Sequence, residues 1–124
     1  MELRVRALPF LDRMELAYAV ADLAVARAGA TTIAELTVAG VPSVLVPYPH
    51  ATGDHQLANA REMRRAGGAT IVLDADLTPE SIRDRITELI ADRPRLDAMS
   101  RACLAWAKPG AASRLADVVR EAAA

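Results

Sequence analysis

The chain has 124 residues, 52% of them apolar, and its 15 basic and 16 acidic side chains leave a formal charge of −1. That length and apolar content fit one α/β domain with one core, burying roughly two-thirds of the unfolded chain's surface. Charges of both signs run along the whole sequence, which excludes the basic stripe of a nucleic-acid binder, and Cys103 stands alone, which excludes a disulfide framework and is consistent with a reducing compartment. The apolar runs are broken by Asp22, Arg27 and Glu35, far short of the ~20 residues of a spanning helix, so neither a leader nor a membrane span is expected.

In chain order, apolar runs bounded by turn residues alternate with helix-like segments, the pattern of βα units that feed a parallel sheet. Four strands are expected: LRVRALPF (Leu3 to Phe10), DLAVAR (Asp22 to Arg27), PSVLVP (Pro42 to Pro47) and ATIVLD (Ala69 to Asp74). Helices are expected between them, near Arg13 to Val20, Thr31 to Ala39 and Gln56 to Ala66, with Gly40, Gly67 and Gly68 as stop signals. After the last strand, LTPESIRDRITELIADRP offers Thr78 as N-cap and Pro79 at the first helical position, with Ile82, Ile86, Leu89 and Ile90 on one face. A final helix is expected from Arg95 to about Ala107, with a break at Pro109-Gly110 and a resumption towards the C-terminus. The G-x-G-x-x-G turn that opens many doubly wound sheets is absent, so the sequence reads as the later part of such a domain.

In open α/β sheets ligands bind beyond the carboxyl ends of the strands, and three segments lie there. In the first, Phe10 and Leu11 offer either an apolar face for a flat ring or an ordinary packed strand end. In the second, RAGATTIAE, Gly29 permits a left-handed or close-approach backbone, and the helix behind it presents unpaired N–H groups and the positive end of its dipole. Ala30 opens that helix, Thr31 and Thr32 add hydroxyls, and Glu35 falls about 200° round from Ile33, near the helix mouth. The stretch reads as a pyrophosphate site with a ribose diol on Glu35, or as a capped helix with a solvated glutamate. The third segment, PYPHATGDHQLANA, carries Asp54, His55, Gln56 and Asn59, groups suited to a ligand dense in hydroxyls. His50 and His55 lack a third ligand at metal-binding spacing, and Ser43 shows no nucleophile elbow, so neither a metal nor a cofactor is expected.

Taken together in this order, RAGATTIAE, AGVPSVLVP and HQLANA resemble the carboxyl-terminal, donor-binding domain of the MurG-like family 28 glycosyltransferases of peptidoglycan synthesis. The resemblance runs from LPFLDRMELAYAVADL to the tail. It implies a Rossmann-like parallel sheet, part of the C-terminal domain of a two-domain GT-B enzyme lacking its first two strands. The implied ligand is UDP-N-acetylglucosamine, with uracil at Phe10 and Leu11 and the diphosphate at Gly29, Ala30, Thr31 and Thr32. The ribose would lie on Glu35, and the sugar near Asp54, His55, Gln56 and Asn59. Members often carry two glutamines where this chain has His55 and Gln56. The implied reaction is inverting transfer to a lipid-linked muramoyl acceptor at the cytoplasmic face of the plasma membrane. The acceptor site, membrane contact and catalytic base belong to an amino-terminal domain or partner subunit outside this sequence, and no catalytic residue is expected within it. Another family 28 UDP-sugar transferase, or a non-catalytic nucleotide-sugar-binding subunit, would carry the same donor motifs. If the parent sheet is ordered 3-2-1-4-5-6, DLAVAR has an open apolar edge, to be filled by LRVRALPF or by a second copy of the chain.

Overall fold

The computed structural model describes residues 4–9, 11–50 and 55–107. Helix α1 (Met14–Val20) leads into strand β1 (Ala24–Ala26), followed by α2 (Ala30–Ala39), β2 (Ser43–Leu45), α3 (His55–Ala66) and β3 (Ala69–Ile71). A short 3-10 turn (Asp74–Asp76) then precedes α4 (Pro79–Ile90) and α5 (Arg93–Trp106). The strands are parallel and lie in the order β1-β2-β3. Val44 pairs with Val25 on one side and with Thr70 on the other.

The central strand explains the layering. Residues 41–47 are all buried, as a parallel strand covered on both faces must be, and successive side chains enter opposite cores. Leu45 joins Ile33, Leu36, Ala60 and Met63 beneath α2 and α3. Val44 and Val46 instead pack with Val72, Leu89, Leu96 and Met99 beneath α4 and α5.

Helix α5 closes the amino ends of the strands. Ser100 Oγ donates to the Gly40 carbonyl at 2.6 Å. Cys103 Sγ lies 3.5 Å from the Val41 carbonyl and 3.6 Å from that of Gly68. Burial pushes the Cys103 thiol up to about 11, so it is an uncharged, packed group at neutral pH. Gly68 is small because a Cβ there would stand 2.2 Å from Met63 Cε and 2.7 Å from Cys103 Sγ. With this end sealed, the carboxyl ends of the strands are left for a ligand.

The helix signals hold in detail. Thr78 Oγ1 accepts from Ser81 N–H while Ser81 Oγ accepts from Thr78 N–H, a reciprocal cap ahead of Pro79. Asp92 caps α5 through Arg95 N–H at 3.1 Å, which starts that helix earlier than Arg95. On α4 the apolar face is narrower than expected, because Leu89 is fully buried but Ile90 is 56% exposed. The strand ladders are three residues long, shorter than the apolar runs that contain them.

One expectation is overturned. Residues 4–9 of the expected strand Leu3 to Phe10 form no strand and do not slide in beside β1; Leu3 and Phe10 lie outside the described residues. Alternation of Arg4, Val5 and Arg6 resembles a half-buried strand, yet a strand needs a hydrogen-bonded neighbour and a buried face, and Val5 is 84% exposed. The helical resumption beyond Pro109-Gly110 also falls outside the described residues.

Gly40 ends α2 at φ 68°, and a Cβ there would meet Leu104 at 3.0 Å and Ser100 Oγ at 3.2 Å. Gly40→Ala is therefore expected to lower the urea unfolding free energy by ~1–3 kcal/mol through left-handed strain and crowding. An unchanged midpoint would contradict this account of the α2–α5 junction.

Candidate functional site

At the carboxyl end of β1 the chain turns through Arg27, Ala28 and Gly29 into α2, and two side chains of α3 hold that turn. Ala28 is fully buried. Its N–H donates to Gln56 Oε1 at 3.2 Å, and the same oxygen accepts the Tyr48 N–H at 2.8 Å. Asn59, one helical turn further along α3, donates from Nδ2 to the Ala28 carbonyl at 3.2 Å. Both backbone polar groups of a buried residue are thereby satisfied by side chains, where an orphaned group would cost ~1–3 kcal/mol. Because Oε1 must face two N–H donors, the Gln56 amide has one orientation, and its Nε2 lies 3.9 Å from where a Cβ on Gly29 would stand.

A second tie crosses all three strand ends. Arg27 donates to Asp74 Oδ1 at 2.7 Å and to the Val46 carbonyl at 3.4 Å, and its guanidinium lies 5.5 Å from the centre of the Tyr48 ring. Tyr48 in turn meets the His50 ring edge-on at 5.5 Å.

The mouth of α2 is open. Gly29 is its N-cap at φ −66° and ψ 149°, with no side-chain cap and no acidic residue in the first turn. Ala30 and Thr31 are exposed and Thr32 is half-buried. The first N–H groups of the helix and its roughly half-unit positive charge thus face outward, an arrangement suited to an anion. Of the two alternatives expected at Gly29, the left-handed backbone is not adopted: φ is negative, and a Cβ would make only an ordinary contact with Gln56. What a small residue provides at this position is close approach.

Glu35 lies in the second turn of α2, half-buried, and its Oε2 accepts the Tyr18 hydroxyl of α1 at 2.6 Å. Burial, and then this carboxylate acceptor, hold the Tyr18 phenol well above its ordinary range. A carboxylate has further acceptor positions, so the contact fixes Glu35 without exhausting it. Leu11 is 40% exposed ahead of α1, and His55 is exposed at the start of α3. Phe10 and Asp54 lie outside the described residues. The structure therefore gathers Gly29, Gln56 and Asn59 at one turn, and gives Gln56 and Asn59 a structural task alongside any ligand contact.

Sequence reasoning missed Tyr18, Arg27, Tyr48 and Asp74. Arg27 and Asp74 were legible as charges immediately after apolar runs, but their pairing across the sheet was not. Among the described residues no cluster of three His, Cys, Asp or Glu is placed to hold a metal ion, and no helix is long and apolar enough to cross a membrane.

A parallel α/β sheet with a sealed amino end and an open helix mouth at its carboxyl end is the ligand-binding side of a Rossmann-like domain. The chain belongs to the family described as the glycosyltransferase family 28 C-terminal domain, which it matches over residues 1–118. It is 44% identical over 118 residues to the UDP-N-acetylglucosamine--N-acetylmuramyl-(pentapeptide) pyrophosphoryl-undecaprenol N-acetylglucosamine transferase of Halothermothrix orenii, covering 95% of this chain and 32% of that protein. The transferase of the same name from Rhodospirillum centenum is 50% identical over 115 residues, with coverages of 93% and 30%. The crystal structure of Acinetobacter baumannii MurG superposes with a TM-score of 0.79 at 38% identity, over 94% of this chain and 33% of that one. The fold is thus that of the C-terminal domain of a GT-B enzyme, and the chain spans about a third of the length of the curated relatives it matches.

The Gln56 contacts separate two substitutions. Gln56→Leu leaves the Ala28 and Tyr48 N–H groups without their acceptor and is expected to lower stability by ~1–3 kcal/mol in urea unfolding. Gln56→Glu keeps an acceptor oxygen and should lose distinctly less. Equal losses in the two variants would show that the bridge contributes little.

Proposed function

We propose that this chain is the donor-binding part of an inverting glycosyltransferase that moves N-acetylglucosamine from UDP to a lipid-linked muramoyl acceptor in peptidoglycan synthesis. The observation that carries the reading is the uncapped mouth of α2 with Glu35 one turn behind it, in a chain whose relatives bear names built on that donor and acceptor. The diphosphate sits on the N–H groups of Ala30, Thr31 and Thr32, and Gly29 lets it come close. Glu35, steadied by Tyr18, accepts the two ribose hydroxyls. Uracil lies against Phe10 and Leu11. The sugar hydroxyls meet Asp54, His55, Gln56 Nε2 and the remaining capacity of Asn59.

Chemically, the helix mouth stabilises the negative charge that accumulates on departing UDP, in a position where no reorganisation is needed as the bond breaks. The acceptor pocket, the base that activates its hydroxyl and the contact with the cytoplasmic face of the membrane are assigned to the length that the relatives have beyond the matched third. The open outer edge of β1, where Val25 is 47% exposed, takes further strands of the same sheet or, in the isolated chain, a second copy. His55, where a glutamine is common, leaves another UDP-sugar as the alternative donor.

Calorimetric titration with UDP tests the nucleotide assignment. Glu35→Ala removes charge-assisted hydrogen bonds and should weaken UDP binding roughly tenfold or more. Gly29→Ala should weaken it as well while leaving the unfolding midpoint unchanged, since the free chain has room for a Cβ. Equal UDP affinity in wild type and Glu35→Ala would remove Glu35 from the site.

A transfer assay with radiolabelled donor sugar tests the division of labour. Proximity and orientation of two substrates account for ~7–11 kcal/mol of barrier lowering, and this stretch supplies one side only. These 124 residues alone should therefore transfer no sugar to lipid above background, and robust transfer would overturn the assignment of the base to another region.

A further inference from the structure

A second concave surface lies away from the helix mouth, along the opposite edge of the sheet. β3 is the outermost strand there, and two cavities of about 390 and 450 Å³ run beside it, sharing Arg64, Ile71 and Arg85 in their walls. Arg61 and Arg64 come from α3 on one side, Arg85 from α4 and Arg95 from α5 on the other. Gly68 and Val72 bond inward to β2, so the alternate peptide groups of Ala69 and Ile71 turn towards the groove.

The charges in this groove are unbalanced. Arg95 donates to Glu88 at 2.9 Å, and Asp76 places one carboxylate in the wall. Arg61, Arg64 and Arg85 make no ion pair with a described carboxylate. Thr70, which lines the larger cavity, is only 9% exposed, yet its Oγ1 has no hydrogen-bond partner. Buried hydroxyls in folded proteins are nearly always bonded. Arginines beside an exposed strand also keep other strands from pairing with it, which accounts for the charges. It does not account for a hollow between them.

Arginines in two walls, with outward-turned peptide groups between them, match an oxyanion that accepts bonds from several directions. We propose that the groove beside β3 is a second ligand site, separate from the helix mouth, that recognises the phosphate group of a phosphate ester. Ile71 and the 46% exposed Leu73 lie where the organic part of the ester would rest. The same chemistry is offered by a soluble phosphate ester and by an anionic phospholipid head group.

The test is an amide-resonance titration of the 124-residue chain with inorganic phosphate. The site requires saturable shifts at Thr70, Ile71, Leu73 and Arg85. The double variant Arg64→Gln/Arg85→Gln should weaken these by roughly tenfold or more, while any response of Ala30, Thr31 and Thr32 is unaltered. Co-sedimentation with phosphatidylglycerol vesicles, absent with phosphatidylcholine vesicles and lost in the double variant, would identify a head group as the source. Phosphate binding without sedimentation would identify a soluble ester. Shifts confined to Ala30, Thr31 and Thr32, or an unchanged response in the double variant, would overturn the second site and leave the helix-mouth assignment standing.

Discussion

The buried backbone of Ala28 is the point on which the rest of the site depends. It joins the end of β1 to the start of α2, and both of its polar groups are held by Gln56 and Asn59 of α3. Through Gln56 Oε1 the same contact reaches the Tyr48 N–H beyond β2. One side chain therefore sets the relation between two strand ends and the helix that opens between them. Each of these hydrogen bonds contributes only ~1 kcal/mol net, but losing the acceptor would strand the N–H of the buried Ala28. The direction in which α2 points its N-terminus follows from this bridge.

The two ends of the sheet divide the work. Ser100 and Cys103 of α5 take up carbonyls at the amino ends of β2 and β3, and the tight contacts of Gly40 and Gly68 leave no opening there. At the carboxyl ends, Arg27 ties β1 to the segments after β2 and β3 with polar contacts that solvent can reach. Such exposed pairs add little stability. Their effect is to fix the rim around an uncapped helix. The two kinds of glycine illustrate the contrast: Gly40 is required by its backbone angle, whereas Gly29 has an ordinary one and room to spare. Its smallness becomes useful when something approaches α2.

Local chemistry was legible in the sequence, and non-local pairing was not. Residues 42 to 47 read as a strand because they form an apolar run bounded by turn residues, and the structure buries all of them at the centre of the sheet. Thr78 and Pro79 announced the start of α4 because a cap is a contact between near neighbours. Leu3 to Phe10 misled because alternation describes a face and says nothing of a partner, and residues 4–9 have none in the sheet. Glu35 was placed near the helix mouth by periodicity, but its bond to Tyr18, seventeen positions away, required the packing of α1 on α2. Gln56 and Asn59 read as polar residues free for a ligand, since nothing local reveals that they face the Ala28 peptide.

The central claim is that the fold directs the mouth of α2 at a nucleotide diphosphate, and it is tested most directly by comparing UDP with uridine in an amide-resonance titration. The two ligands share base and ribose and differ in the diphosphate alone. The account predicts that UDP moves the amides of Ala30, Thr31 and Thr32, that uridine leaves them in place, and that both perturb Glu35. Equal shifts at those amides with uridine, or UDP shifts that bypass the first turn of α2, would contradict it.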